Sequence, residues 1–337
     1  MQITRIALDL AKNVIQVHAV DRAGKSVLRK PFKRSHLLPF FRDLPSCEIG
    51  MEACASAHDW GRKLQALGHQ VQLLPPQYVK PFVLGQKNDA NDAAAICAAM
   101  ARPEIPRVPV KTVAQQDRQA LHRVRQLRMK HRTALINQIR GLLAEYGIAI
   151  AQGPGKLRRE IPELLEDADN GLSFEFRELL SDLYEELRLL QASIDTLTER
   201  IERQVRLDVD GRRLLEVPGV GPITASALLA TVGDARQFRN GRQMAAFLGL
   251  VPRQHSSGGK TRLLGIHKGG DSYLRGLLVH GARSVLRTAA DKPDDRSRWL
   301  MSLATRRHRN IAIVAQANKT ARIVWAILTT EQRYRTS

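Results

Sequence analysis

Cysteine is scarce in this chain: three residues in 337, at Cys47, Cys54 and Cys97. The count is odd and no two stand in a C-x-x-C spacing, which argues against a disulfide framework and against a zinc knuckle. Each thiol is expected as a small buried hydrophobe. Long apolar runs are lacking as well. No stretch reads as long enough to span a bilayer, and the opening MQITRIALDLAKN has no signal-peptide core. Internal repeats and low-complexity tracts are absent. Acid is in short supply: 33 Asp and Glu face 53 Lys and Arg, a net charge of +20 with a sequence pI near 10.5. That deficit says nothing about fold, but it favours a polyanionic partner. The expectation is a cytoplasmic, nucleoid-associated protein with no membrane partner, long enough for two or three domains.

What is present reads first as α/β. ITRIALDL is a short apolar strand that carries Asp9 near its end, and VIQVHAV and KSVLRKPF follow across the hairpin-like DRAGK. CEIGMEA, with Glu52, and HQVQLLPP, stopped by Pro75 and Pro76, are two more strands. The helix-like SAHDWGRKLQALG lies between them and ends on Gly68. A β meander followed by βαβ and a helix suits a ribonuclease-H-like fold.

The middle of the chain reads as helix. Residues 113–146 form one long helix with Arg118, Arg123, Arg125, Arg128, Lys130, Arg132 and Arg140, over an imperfect stripe of Leu121, Val124, Leu135, Ile139 and Leu142. Its basic face either is simply solvated or tracks phosphates, with Arg125 and Arg128 as candidates. AQGPGK breaks this helix. Leu180, Leu183, Leu187, Leu190, Ile194, Leu197 and Ile201 then repeat at 3-4 spacing, with Phe176 one step earlier. This coiled-coil seam could fold back on the basic helix or pair between subunits, and pairing between subunits is preferred. The expected domains are 1–152 (the α/β part and the basic helix), 172–208 (the coiled coil) and 209–337 (mainly helical).

Three stretches carry chemistry. In GQKNDANDAAAIC, Asp89 and Asp92 stand three apart where an alanine-rich helix begins. Helix capping is the plain explanation. The alternative is that both face one side and converge on a metal ion with Asp9 and Glu52. Four acids at one point in so basic a chain would repel one another without cations, and Mg²⁺ at such a site suits phosphodiester cleavage. Second, LLEVPGVGPITASALLATVG has a helix-hairpin-helix pattern, in which Gly219 and Gly221 would let backbone N–H groups approach a phosphate. Third, GLVPRQHSSGGKTR imitates the end of a P-loop, but Gln254 stands where its first glycine belongs. What remains is Ser256 and Ser257 on a glycine-flanked loop among Arg253, His255, Lys260 and Arg262: a flexible loop, or an exposed nucleophile assisted by cations.

These residues resemble a known family. IALDLAKN, GMEACASAHDW and KNDANDAAA at one end, with VPGVGPITASALLA, FLGLVPRQHSSGGKTR and HKGGDSYLRGLLVHGAR at the other, are similar to the DEDD-type insertion-sequence transposases, relatives of the Piv DNA invertases that include bridge-RNA-guided recombinases. The resemblance implies that Asp9, Glu52, Asp89 and Asp92 bind Mg²⁺ in a RuvC-like domain. It also implies a serine in the C-terminal transposase domain that bonds covalently to DNA. The family pattern puts that serine directly before the glycine, at Ser257, with Ser256 its neighbour. Implied partners are double-stranded donor and target DNA, a guide RNA from the element, and further copies of the chain in a dimer or tetramer, the acidic site of one subunit meeting the serine of another. Two other readings stand beside it: a RuvC-like Holliday-junction nuclease using metal-activated water, and a non-catalytic architectural nucleic-acid-binding protein.

Overall fold

Ile15, Val17 and Ala19 alternate along residues 14–20 and are fully buried, the period-two pattern of a strand with one face in a core. The computed structural model describes residues 3–86 and 88–335. The chain divides into two compact units, Met1–Ala114 and Gln115–Ser337.

In the first unit, β1 (Arg5–Leu10), β2 (Val14–Val20) and β3 (Ser26–Lys33) form an antiparallel meander. The DRAGK turn is closed by the Asp21 carboxylate, which accepts from the Ala23 and Lys25 amides. Helix α1 (Arg34–Arg42) then leads to β4 (Glu48–Glu52), α2 (Ala57–Ala66) and β5 (Gln70–Leu74). β4 runs parallel to β1, and β5 to β4, giving the order β3-β2-β1-β4-β5. This mixed five-stranded sheet is consistent with the ribonuclease-H-like expectation. α1 went unread in the sequence because Pro39 sits inside it, where proline normally breaks a helix.

The two sheet faces differ in what they accept. Ile6, Leu8, Ile49 and Met51 pack on Leu37, Phe41, Trp60 and Leu64 of α1 and α2. The other face offers Ala7 and Leu74 to α4 (Asp89–Met100), which follows the short α3 (Pro76–Val79) and contributes Ala95, Ile96, Ala99 and Met100. Here small residues decide the distance. A Cβ on Gly50 would lie 2.2 Å from Met100 Sδ, so only glycine lets α4 settle this close to the sheet.

The second unit is mainly helical. α5 (Val113–Ala144), α6 (Pro154–Glu166) and α7 (Phe174–Leu207) share one core, in which Leu135, Ile136, Ile139 and Leu143 meet Leu157, Ile161, Phe176, Leu180, Leu187 and Leu190. Polar contacts fix the direction. Arg118 pairs with Asp208 at 2.5 Å, Arg125 donates to Thr198 at 2.7 Å and Arg132 to Gln191 at 2.8 Å. Positions rise along α5 as they fall along α7, so the two are antiparallel. Within its own chain the leucine seam folds back on the basic helix, the second of the two readings of that repeat. The apolar stripe of α5 shifts too, with Val124 exposed and Ile136 and Leu143 buried in its place. α5 packs with α7, and the two compact units part at residue 114.

α8 (Val209–Leu215), α9 (Pro222–Val232), α10 (Gly241–Phe247), the hairpin β6 (Pro252–Gln254) and β7 (Leu263–Ile266), α11 (Ser272–Arg287), α12 (Asp295–Arg306) and α13 (Arg309–Thr330) complete the chain. By length and composition α13 could cross a membrane, which amends the expectation that no stretch is long and apolar enough. Its Ala312, Ile313, Ala317, Ala321, Val324 and Ile327 instead form part of the core of this unit, with Leu214, Leu228, Leu278 and Leu300.

Candidate functional site

Asp9 and Glu52 reach one point through sheet register. Leu8 pairs with Met51 between parallel β1 and β4, so one step further on stand Asp9 and Glu52. Ala7 and Gly50, two residues earlier, face α4, and strand alternation gives both carboxylates that same face. α4 runs antiparallel to β1: Met100 sits over Gly50, and the Cys97 thiol near its end feels the charge of Arg5 at the start of β1. The start of α4, with Asp89 and Asp92, therefore lies toward the ends of β1 and β4 that carry Asp9 and Glu52. Asp92 shares the sheet-facing stripe with Ile96 and Ala99 at helical spacing.

Both aspartates lie in the first turn of α4, where the helix dipole favours them, but neither is the N-cap. Asn88 is the N-cap, its side chain accepting from the Asn91 amide at 2.8 Å. Asn91 in turn accepts from Arg29 of β3 at 2.9 Å, which ties the first turn of α4 to the sheet. The four acids supply only oxygen donors, the kind that hard divalent cations take. Among the described residues, however, no three His, Cys, Asp or Glu close into a group that could hold a metal ion.

The cysteines follow expectation at two of three positions. Cys47 and Cys97 are buried, whereas Cys54 is exposed, because it lies on the loop just after β4 rather than in the sheet. Its thiol pKa is nevertheless raised, first by partial desolvation and then by the charges of Glu52 and Asp9. One thiol thus senses both carboxylates.

The serine loop is a β-hairpin tip. The Lys260 amide donates to Ser257 O at 3.0 Å, and Gly258 and Gly259 both have positive φ, at 54° and 75°. Two successive left-handed residues make the type I′ turn that fits strand twist, which accounts for the glycine pair. Pairing of Gln254 with Leu263, of Ser257 with Lys260, and the His255 amide bond to Arg262 O share one register. His255, Ser257, Lys260 and Arg262 accordingly share one face, while Gln254 and Ser256 share the other. The hydroxyls differ as a result. Ser256 Oγ accepts from Gln254 Nε2 at 2.9 Å and from the Arg262 amide. Ser257 is exposed. Arg253 is exposed on β6.

In the PGVG turn between α8 and α9, Gly219 turns the chain with φ +87°. Beyond that φ, a Cβ on Gly219 would lie 2.9 Å from Val285 Cγ2 and 3.0 Å from Gly281 O of α11, and a Cβ on Gly281 would lie 1.9 Å from Gly219 O, so the close approach needs glycine on both sides. Gly221 is the open position, the N-cap of α9, where an added Cβ would meet nothing within 4 Å. On α5, Arg128 is exposed, whereas Arg125 is half-buried and bonded to Thr198.

One polar cluster was not anticipated. His122 of α5 is buried, with Nδ1 3.0 Å from Tyr273 Oη and Nε2 2.9 Å from Ser226 Oγ. Burial, then the charge of Arg125, lowers its pKa to about 4, against an opposing contribution from Asp271. A lone histidine in a basic helix gave no signal that it would be internal.

Similarity to known proteins agrees with this architecture. Residues 211–299 match the family described as Transposase IS116/IS110/IS902 family, and residues 6–148 match a second, DEDD-type family described as Transposase. The chain is 52% identical to the probable family 20 transposase of Pseudomonas aeruginosa over 336 residues, 99% of each chain. It is 44% identical to the transposase for insertion sequence element IS1111A of Coxiella burnetii over 330 residues, 98% of this chain and 91% of the relative. A stretch of 55 residues, 16% of each chain, is 38% identical to the pilin gene-inverting protein of Moraxella lacunata. The chain belongs to the IS116/IS110/IS902 family of insertion-sequence transposases, enzymes that cut and rejoin DNA.

Proposed function

We propose that this transposase breaks DNA by attack of Ser257 on a phosphodiester, with Asp9, Glu52, Asp89 and Asp92 holding Mg²⁺ for the same reaction. The observation that carries the reading is the hairpin: an exposed serine hydroxyl shares its face with His255, Lys260 and Arg262, while the Ser256 hydroxyl is engaged. The serine oxygen bonds to phosphorus as a sugar oxygen leaves. The hydroxyl proton passes to solvent or to His255, and the leaving oxygen takes up a proton. The phosphodiester count is unchanged, so the bond can be returned to a second DNA end without an external energy source. Lys260 and Arg262 offset charge developing on the phosphate oxygens. Mg²⁺, when bound, would supply further neutralisation of those oxygens.

Phosphate contacts by Arg128, Arg253 and the Gly221 turn would hold donor and target DNA, with Arg125 held back by its bond to Thr198, and a structured RNA encoded by the element would direct pairing. Asp92→Asn removes one ligand charge at constant size. With DNA carrying the ends of the element, its RNA and Mg²⁺, this variant should fold normally, bind nucleic acid and fail to cleave. Retained Mg²⁺-dependent cleavage would remove Asp92 from the site. Cleavage by Asp92-intact protein with Ser257→Ala, without any covalent adduct, would favour the metal-activated-water nuclease.

A further inference from the structure

A groove of about 990 Å³ in the second unit lies away from the hairpin tip. It is walled by α10, α13 and the foot of the β6–β7 hairpin, where Pro252 pairs with Ile266. Its volume is at the upper end of the about 300–1,000 Å³ common for ligand sites. Two of the three tryptophans of the chain, Trp299 and Trp325, line it. Arg242, Lys319 and Arg322 line it too, and no Asp or Glu does. Trp325 is held in place by its Nε1 bond to Phe238 O at 3.1 Å. Lys319 Nζ lies 4.7 Å from the centre of the Trp299 ring.

Aromatic faces bordered by cations, without acids, match the chemistry of unpaired nucleotides: bases stack on rings while phosphates meet the cations. A duplex stacks its bases on one another and has no free base face to offer. We propose that this groove binds unpaired nucleotides of the nucleic acid on which the enzyme acts, at the foot of the hairpin that carries Ser257. A base takes the Trp299 face, and Lys319 moves from the ring to the adjoining phosphate. The inference rests on the nucleic-acid reading above.

The test uses the full chain with fluorescein-labelled oligo-dT, oligo-U and a DNA duplex of equal length, followed by anisotropy at fixed salt. Trp299→Ala should weaken single-strand binding about ten-fold, as loss of one stacked base does. Trp299→Phe should restore it and duplex affinity should not change. Comparable losses with oligo-dT and oligo-U assign the groove to unpaired strands of either kind; loss with one alone identifies DNA or RNA as its source. Because Trp299 also touches the core, Lys319→Ala with Arg322→Ala serves as a second variant, expected to lower the single-strand salt slope by roughly one to two. Equal losses on duplex and single strands, no loss at all, or a change in mass by light scattering without a change in oligonucleotide affinity would each overturn the proposal. Wild-type protein that binds duplex but neither single strand overturns the groove assignment alone. Protein that binds no nucleic acid overturns the broader reading with it.

Discussion

Ser256 and Ser257 are chemically identical neighbours that the hairpin pleat sends to opposite faces. Ser256 spends its hydroxyl inside the loop, whereas Ser257 shares a face with His255, Lys260 and Arg262. Ser257→Ala is therefore expected to abolish strand exchange, and Ser256→Ala to leave substantial exchange with a looser hairpin. Equal loss in both variants would show that loop shape, rather than one hydroxyl, is what matters. His122 supplies a different residue-scale test. Its folded pKa is about 4, below the usual value near 6.5. The unfolded chain thus takes up a proton between these values that the folded chain refuses. Stability from this group is full above about pH 6.5 and is lost as pH falls toward about 4, by an amount on the order of 3 kcal/mol. Urea unfolding of wild type and His122→Gln across that range should show a shallower decline in the variant. His18, whose pKa is also lowered, titrates in both proteins and cancels in the comparison. Parallel curves would mean that His122 is not held neutral.

At the scale of elements, the proposed acidic site would depend on how closely α4 lies on the sheet. Gly50→Val would drive a side chain into Met100 and should cost about 1–3 kcal/mol through overpacking. Lifting the start of α4 from Asp9 and Glu52 should cost activity beyond that. Normal activity in a folded Gly50→Val protein would detach α4 from the site. The α5–α7 hairpin makes its own prediction. Leu187→Asp combined with Ile194→Asp buries charge in a seam already filled by the same chain, so thermal melting should drop sharply. A smaller particle with an unchanged melt would restore pairing between subunits. The five strands of the first unit were legible because their apolar period and turn residues agree, and the Asp89–Asp92 pair because its spacing is helical. Other features were not. Pro39 hid α1. A 3-4 leucine repeat specifies that a helix face is buried but not which helix buries it. Gly219 announces a close backbone approach, yet the neighbour is Gly281, which no local pattern could name. The register that separates Ser257 from Ser256 depends on cross-strand pairs, and sequence alone left that choice open.

For the whole molecule, the net charge of +20 is only partly available to a polyanion. Arg118, Arg125, Arg132 and Arg140 bond within the chain, and Arg177 donates to four backbone carbonyls and the Asn170 side chain. Arg128→Gln on the exposed side of α5 should lower the salt slope of DNA binding by about one with little effect on stability. Arg125→Gln should instead lower the melting temperature by releasing Thr198. The opposite pattern would place the phosphate track on the other side of the helix. The central claim is that the transposase joins itself to DNA through one hydroxyl. Stalling the reaction on DNA with a nicked or mismatched end, digesting the protein and mapping the nucleotide-bearing peptide by mass spectrometry tests it most directly. The account predicts a phosphoserine bond at Ser257, present with wild type and absent with Ser257→Ala. An adduct at Ser256, or efficient cleavage with no adduct on either serine, would contradict it.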